Sequence, residues 1–563
     1  MATIDDLVNS TTALTTAVNV AKATLDEKVT AAASSATAAA ASAVTAASVL
    51  PLAPPKVNTI GIPGTAGFGV GICPPTALPS GFTPLPGYQE PTHINYGNYQ
   101  FTDGSIMCWI PKNWYRIGHA SNPTYATYGV NSVDVKGLET FNSTSAANAA
   151  GYALHRMFMD GGVEKDGAFV DKYKCSQRAW GTGIIASSIA NAPPISTAAN
   201  HNPIGGLTAT SGINTYYAAI TAAHARDGVN GAVNASSMFF CNTRFITAGL
   251  ALLSLAHGQA SSSTTYCAWY SSGSTNYPKG CNNNALHDCD DSSVVYLTDG
   301  YSNCGKTGSG SPFAKTTHNG QACGVADLNG LMYEVNPAIT CLTSTKTITG
   351  ITQANPAVVT SAAHGLVNGQ QILLTSIGGM TQLNSTIATV ANKTTDTFEL
   401  SGVNSTEYGA FTSGGTITIG TYYVIKTATD MKTLTSGNTL STDVWGATGV
   451  AAHSDVITVP YGNGGIGKRF GNGSNQVLSE ATSGDAWKLT GLGFPKDTNG
   501  VSGAGSNLFG TDYFYEYHVN DMVPFSSCSW SGAGGAGVWC VYLGDPRTDG
   551  SDGVGFRCAC YPA

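Results

Sequence analysis

The chain of 563 residues is long enough for about three to five domains. Only 11% of it is charged, against about a quarter in an average globular protein, and the formal net charge is −8. That balance excludes a nucleic-acid binder working through a basic face and a polybasic membrane-surface protein. The longest low-charge run, residues 30–55, is mostly Ala, Ser and Thr, too weakly apolar for lipid. Asp5 and Asp6 stand where a secretory leader would be basic. Fourteen cysteines lie between Cys73 and Cys560 without a CxxC pair. They predict either reduced thiols in a cytosol, or a protein made there and released to work outside.

Residues 1–50 contain no Gly, Pro, Cys or aromatic residue. Ile4, Leu7, Thr11, Leu14, Val18, Ala21 and Leu25 alternate in steps of three and four, the heptad seam of a helix that needs partners. Val29 shifts the phase, and the seam fades into small residues from Ala31 to Ala47. Two readings stand: an oligomerising and attaching coiled-coil stalk with Ile4, Leu7, Leu14, Val18 and Leu25 in its seam, or a frayed Ala-rich helix or disordered arm. Residues 51–90 hold nine prolines and read as a Pro/Gly-rich neck.

A globular region over 91–345 follows. Strands are expected at Ser105–Ile110, Trp114–Ile117 and Phe169–Tyr173, and helices at Thr215–Arg226 and Phe239–His257, the latter stopped by Gly258. Residues 346–418 change texture: Thr, Val, Ile and Gly alternate, with strands expected at Val358–Thr360, Gln371–Leu374, Ile387–Val390 and Thr397–Leu400. This predicts a small all-β barrel inserted into a larger α+β domain, with its termini close together. Residues 419–563 resume the earlier style, with a strand at Tyr513–Val519.

No P-loop, G-x-S-x-G elbow or H-E-x-x-H is present, and no carboxylate pair is set apart for glycan hydrolysis. The residues His287, Asp288, Cys289, Asp290 and Asp291 form the densest ligand cluster. It reads as a Ca²⁺ loop, a zinc site or a plain polar loop. Cys267, Cys281, Cys289, Cys304 and Cys323 allow one or two local disulfides. The expectation is no resident metal and no cofactor.

Three ordered blocks resemble the C-type-lectin-like fold of formylglycine-generating-enzyme relatives and retroelement variable proteins. They are Ala168–Cys175, Gly324–Glu334, and the C-terminal pair Ser527–Trp530 and Gly553–Ala559. Residues 1–50 resemble the attachment helices of bacteriophage tail fibres. The run from Ile348 to Thr360, with His364–Leu366 and Phe398–Thr406, resembles a β module recurrent in phage tail proteins, the first-catalytic-cysteine half-domain (FCCH) of ubiquitin-activating enzymes.

The resemblance implies a multidomain protein: a coiled-coil helix, a C-type-lectin-like head over 91–345 and 419–563, and an inserted β module. It implies a trimeric tail-fibre adhesin, made in the host cytoplasm and acting outside as part of the virion. Its expected partners are a bacterial surface receptor, glycan or protein, and a baseplate or other tail protein at the N-terminus, with no nucleic acid and no membrane insertion. In the retroelement relatives the C-terminal segment carries the binding residues. The matching positions here are Trp539, Tyr542, Asp545, Arg547, Asp549 and Asp552. A structural spacer is the alternative. A formylglycine-type copper oxidase is the third reading, with Cys528 and Cys540 as its thiols, although eleven residues separate them.

Overall fold

The structure is a computed structural model. It describes residues 4–49, 56–271, 277–425, 454–457, 468–469, 481–494 and 512–562, although not the side chains of Asp6, Leu7, residues 30–49 or 468–469. The chain divides into two compact units, residues 1–55 and 56–563.

The first unit is one α-helix, Ile4–Val49. With no Gly or Pro to break it, 46 residues at 1.5 Å each extend about 69 Å. Thr12, Thr15 and Thr16 return their hydroxyls to the carbonyls four residues back, at 2.9 Å each. Lys22 and Asp26 pair at 3.0 Å across one turn. The seam side chains Ile4, Leu14, Val18 and Leu25 are 82%, 66%, 57% and 61% exposed on this single chain. Leu7 and the Ala31–Ala47 end of the seam lie outside the described side chains.

The second unit is mixed α+β, built from several sheets. One six-stranded sheet runs, from edge to edge, Phe82–Pro84, Asn98–Phe101, Ile106–Pro111, Gly167–Asp171, Cys558–Cys560 and Phe239–Cys241. The chain's last strand therefore sits inside a sheet begun near residue 82. Of the expected neck, residues 51–55 lie outside the described residues; from Lys56 onward the segment belongs to the compact unit, and Ile60, Phe68, Val70 and Ile72 are buried in its main core. Pro84 is tolerated because its strand lies at the sheet edge.

The helix expected from Phe239 is also corrected. Phe239–Cys241 pairs with Cys558–Cys560, and the helix begins only at Arg244, where the Thr243 hydroxyl accepts from the Ile246 amide. It runs through Gly258 to Ala260 and is buried along almost its whole length. Burial on all sides explains why its apolar residues show no clean stripe. The other expected helix forms over Tyr216–His224.

A second six-stranded sheet runs Lys468–Arg469, Tyr513–Glu516, Val541–Pro546, Met522–Ser526, Tyr333–Val335 and Val554–Gly555. A buried ion cluster links the two sheets. Arg226 forks onto Asp171 at 2.6 and 2.8 Å. Arg557 forks onto Glu334 at 2.8 and 2.7 Å, and Lys174 donates to Glu334 at 2.6 Å. Asp171, Glu334 and Arg557 come from the three blocks that carried the resemblance.

The inserted β segment has its own core of Ile348, Val359, Leu366, Ile372, Leu374, Val390, Phe398, Leu400 and Ile417. Its strands alternate as expected, with Val358–Thr360 and Thr397–Leu400 at the predicted bounds. Its ends do meet. Ile339–Thr347 pairs antiparallel with Ser413–Ile425, from Ile339 opposite Val424 to Thr347 opposite Thr416. The barrel is corrected: the sheet is open, and among the described residues Gly350–Ile351 at its edge pairs only with Val358–Thr360.

Candidate binding face

On Tyr513–Glu516 the two-residue period turns Tyr513 and Tyr515 to a half-buried side and Phe514 and Glu516 inward. This strand lies parallel to Val541–Pro546, with Tyr515 opposite Tyr542. Their rings stack at 4.6 Å and 6°. Phe525 on the next strand continues the stack at 6.4 Å, and Tyr333 lies 6.1 Å from Tyr542. Gly544 makes room for this row: a Cβ there would stand 2.5 Å from the Tyr515 ring and 2.9 Å from the Tyr542 ring.

Asp545 borders the row. Burial, reinforced by the nearby Asp549 carboxylate, lifts its carboxyl to about 6. Burial and then the Asp545 charge push the Tyr542 phenol up to about 12. Beside Tyr333 lies Cys528, whose thiol donates to the Tyr333 hydroxyl at 3.0 Å. Ser527 and Cys528 both hold positive φ, 75° and 72°, a backbone geometry that costs energy and fixes the thiol's direction. Cys528 and Cys540, eleven residues apart in the chain, come together in one small cluster with Ala536. A hydrogen bond from Cys540 holds the Cys528 thiol below its ordinary value.

The six C-terminal positions separate. Tyr542 lies in the aromatic row with Asp545 beside it, and Asp549 is exposed on the following turn, its amide donating to the Pro546 carbonyl at 3.0 Å. Trp539 and Arg547 are buried, 2% and 1% exposed, and do not share the surface of the other candidates. The Trp539 amide donates to Asp512 at 2.9 Å, and its ring belongs to the main core. Arg547 turns inward over the Tyr216 ring at 4.9 Å. Asp552 joins another cluster, where it accepts from the Tyr301 hydroxyl at 2.7 Å. There Tyr301 stacks on His201 at 4.1 Å, with Trp530 edge-on to His201.

The loop of residues 287–291 is a polar loop. The Asp288 carboxylate accepts from the amides of Gly280, Asp290 and Asp291 and from the Asn282 side chain, which commits both oxygens to holding the turn. The expected local disulfides are also corrected. All fourteen cysteines are free thiols, and Cys281 instead donates to the Ala285 and Asn303 carbonyls. A cleft of about 540 Å³ opens where the inserted segment meets the second sheet, lined by Gln371, Thr389, Tyr422, Glu516 and His518. None of the C-terminal candidates lines it.

Residues 354–419 match the family model of the ubiquitin-activating enzyme E1 FCCH domain. The matched span is the inserted β segment, so this part of the chain is an FCCH-like module. It contains no cysteine, so it carries no thiol for thioester chemistry. No curated protein matches the chain.

The sequence missed Tyr515 and Tyr333 as members of the aromatic row. The alternation Tyr513, Tyr515, Tyr517 was the available signal. Tyr333 carried none, because only pairing of its strand with Met522–Ser526 and Val554–Gly555 brings it there.

Proposed function

We propose that this chain is a receptor-binding adhesin of a phage tail fibre. In this reading a C-type-lectin-like head recognises a glycan or protein on the bacterial surface, and the N-terminal helix trimerises and attaches to another tail protein. The observation that carries it is the half-buried row Tyr515–Tyr542, which keeps part of its ring surface at solvent, with Asp545 beside it. Stacked tyrosines present flat apolar area with few rotors to freeze, and such rings also stack on sugars. The FCCH-like module and the meeting of the three lectin-like blocks in one ion cluster support the same reading.

Adsorption of the purified full chain to host cells tests it, comparing wild type with Tyr542→Ala and Tyr515→Ala and with glycan arrays for the ligand class. Loss of adsorption by variants that remain folded at the assay temperature supports the adhesin; normal adsorption by both variants removes this face from recognition. The spacer reading is favoured by the long helix and the separately cored module. It predicts that trimming the head spoils particle assembly and leaves cell binding unaffected.

A further inference from the structure

We propose that His201, Asp299 and Cys304 form a zinc site. The ring nitrogen, a carboxylate oxygen and the thiol lie within 4.8 Å of one another. The side chains of His201 and Asp299 are shielded from solvent, and Cys304 is fully buried.

The decisive geometry is around the imidazole. Nδ1 of His201 lies 2.7 Å from the Asp552 carbonyl oxygen, which can only accept, so Nδ1 carries a proton. A neutral ring then turns the Nε2 lone pair toward Asp299 Oδ2 at 2.7 Å, against another acceptor. Either a second ring proton or a cation resolves that contact. Ligating histidines characteristically donate their other N–H to a backbone carbonyl, which sets the tautomer and the ring direction. Here Tyr301 stacked on one face and Trp530 edge-on add further restraint. The other Asp299 oxygen accepts from the Tyr301 amide at 2.8 Å, and the Cys304 thiol also hydrogen-bonds to this carboxylate, through the proton that leaves when the ion enters.

The donor set selects the metal. Nitrogen, carboxylate and thiolate together suit Zn²⁺, whereas Ca²⁺ and Mg²⁺ take oxygen ligands. A neutral imidazole, one carboxylate and one thiolate cancel the two charges of the ion, so the shielded site is electrically balanced. The Cys304 thiol releases its proton to solvent as the ion enters. Water takes the fourth tetrahedral position.

Two other groups of potential ligands fail this test. Asp171, beside Cys175 and Cys558, has both oxygens on Arg226. Asp288, beside Cys289 and Asp290, has both on backbone and amide donors. Bound at His201, Asp299 and Cys304, zinc joins two loops distant in sequence and, through the Asp552 carbonyl, anchors the C-terminal segment. The inference is independent of the adhesin reading.

The test uses the full chain, stripped with a chelator and titrated with ZnCl₂ or CoCl₂. One equivalent of zinc should bind, and Co²⁺ should give a thiolate-to-cobalt charge-transfer band. Cys304→Ser should abolish that band, and His201→Gln and Asp299→Asn should weaken zinc binding at least about tenfold. Cys289→Ser should behave as wild type. Far-UV circular dichroism of each stripped variant checks folding. Absence of stoichiometric zinc, or of the sulfur band in the wild type, overturns the site without any variant. Equal zinc binding by folded Cys304→Ser and His201→Gln also overturns it, leaving a second ring proton as the resolution of the His201–Asp299 contact.

Discussion

Arg557 and Glu334, 223 residues apart, meet in a two-pronged ion pair inside the protein, with Nε on one carboxylate oxygen at 2.8 Å and Nη2 on the other at 2.7 Å. Arg557 also donates to the carbonyls of Asp171 and Ala326. One guanidinium thus ties together the three segments that carried the sequence resemblance.

Removing one partner leaves the others charged and buried. Glu334→Gln strands Arg557 and Lys174 without their counter-charge, and should cost about 3–5 kcal/mol in denaturant unfolding. Burial by itself would raise the Glu334 carboxyl, but the Arg557 charge and then Lys174 overcome it and hold the group at about 2, below its ordinary 4.5. A depressed folded value stabilises above the unfolded one. The contribution should therefore be intact above about pH 4.5 and lost as pH falls toward 2. Glu334→Gln should flatten that part of the stability profile.

Asp545 carries the opposite sign. Its carboxyl is raised from 3.8 to about 6, so the folded protein holds a proton there that the unfolded chain has released. Its stability contribution should be present below about pH 4 and disappear as pH rises to about 6. The difference in melting temperature between wild type and Asp545→Asn, measured from pH 4 to 8, should change across that window and be constant above it. A flat difference refutes the shift.

Tyr542→Ala should weaken adsorption to host cells about tenfold and, because its ring also stacks on Tyr515 and Phe525, cost about 1–2 kcal/mol of stability without unfolding the protein. Arg547→Ala should instead destabilise the protein by about 2 kcal/mol or more, because it removes a buried cation from the face of Tyr216. Thermal melts run beside the adsorption assay separate the two effects. An Arg547→Ala protein that is fully stable yet cannot adsorb contradicts its place in the core.

Replacing residues 348–415 by an Asn-Gly turn should leave the rest of the protein folded. Thr347 and Thr416 already face each other across an antiparallel ladder, and a two-residue turn closes such a pair without strain. The buried core of the FCCH-like module lies entirely between Ile348 and Ile417. Unchanged near-UV circular dichroism per remaining chromophore and cooperative melting are expected. Collapse of the shortened protein makes the module part of the common core.

The full chain should be a trimer in solution and a chain starting at Lys56 a monomer, by light scattering. Ile4, Leu14, Val18 and Leu25 expose apolar side chains that a partner helix would cover. A monomeric full chain removes the stalk.

What could be read from the chain alone was local. The helix of residues 4–49 follows from the absence of breakers, since each i to i+4 bond lies within a few residues. The strands Val358–Thr360 and Thr397–Leu400 follow from side chains that alternate between core and solvent at period two. The fate of Trp539, Arg547 and Phe239 rested on partners far away in sequence: Asp512, Tyr216 and Cys560. Alternation separates the two sides of a strand without saying which side another segment will cover. For the same reason Tyr515 and Tyr542, and His201 with Asp299 and Cys304, became groups only on folding. Their spacing in the chain holds no period, and long-range strand pairing and loop packing alone bring them within contact distance.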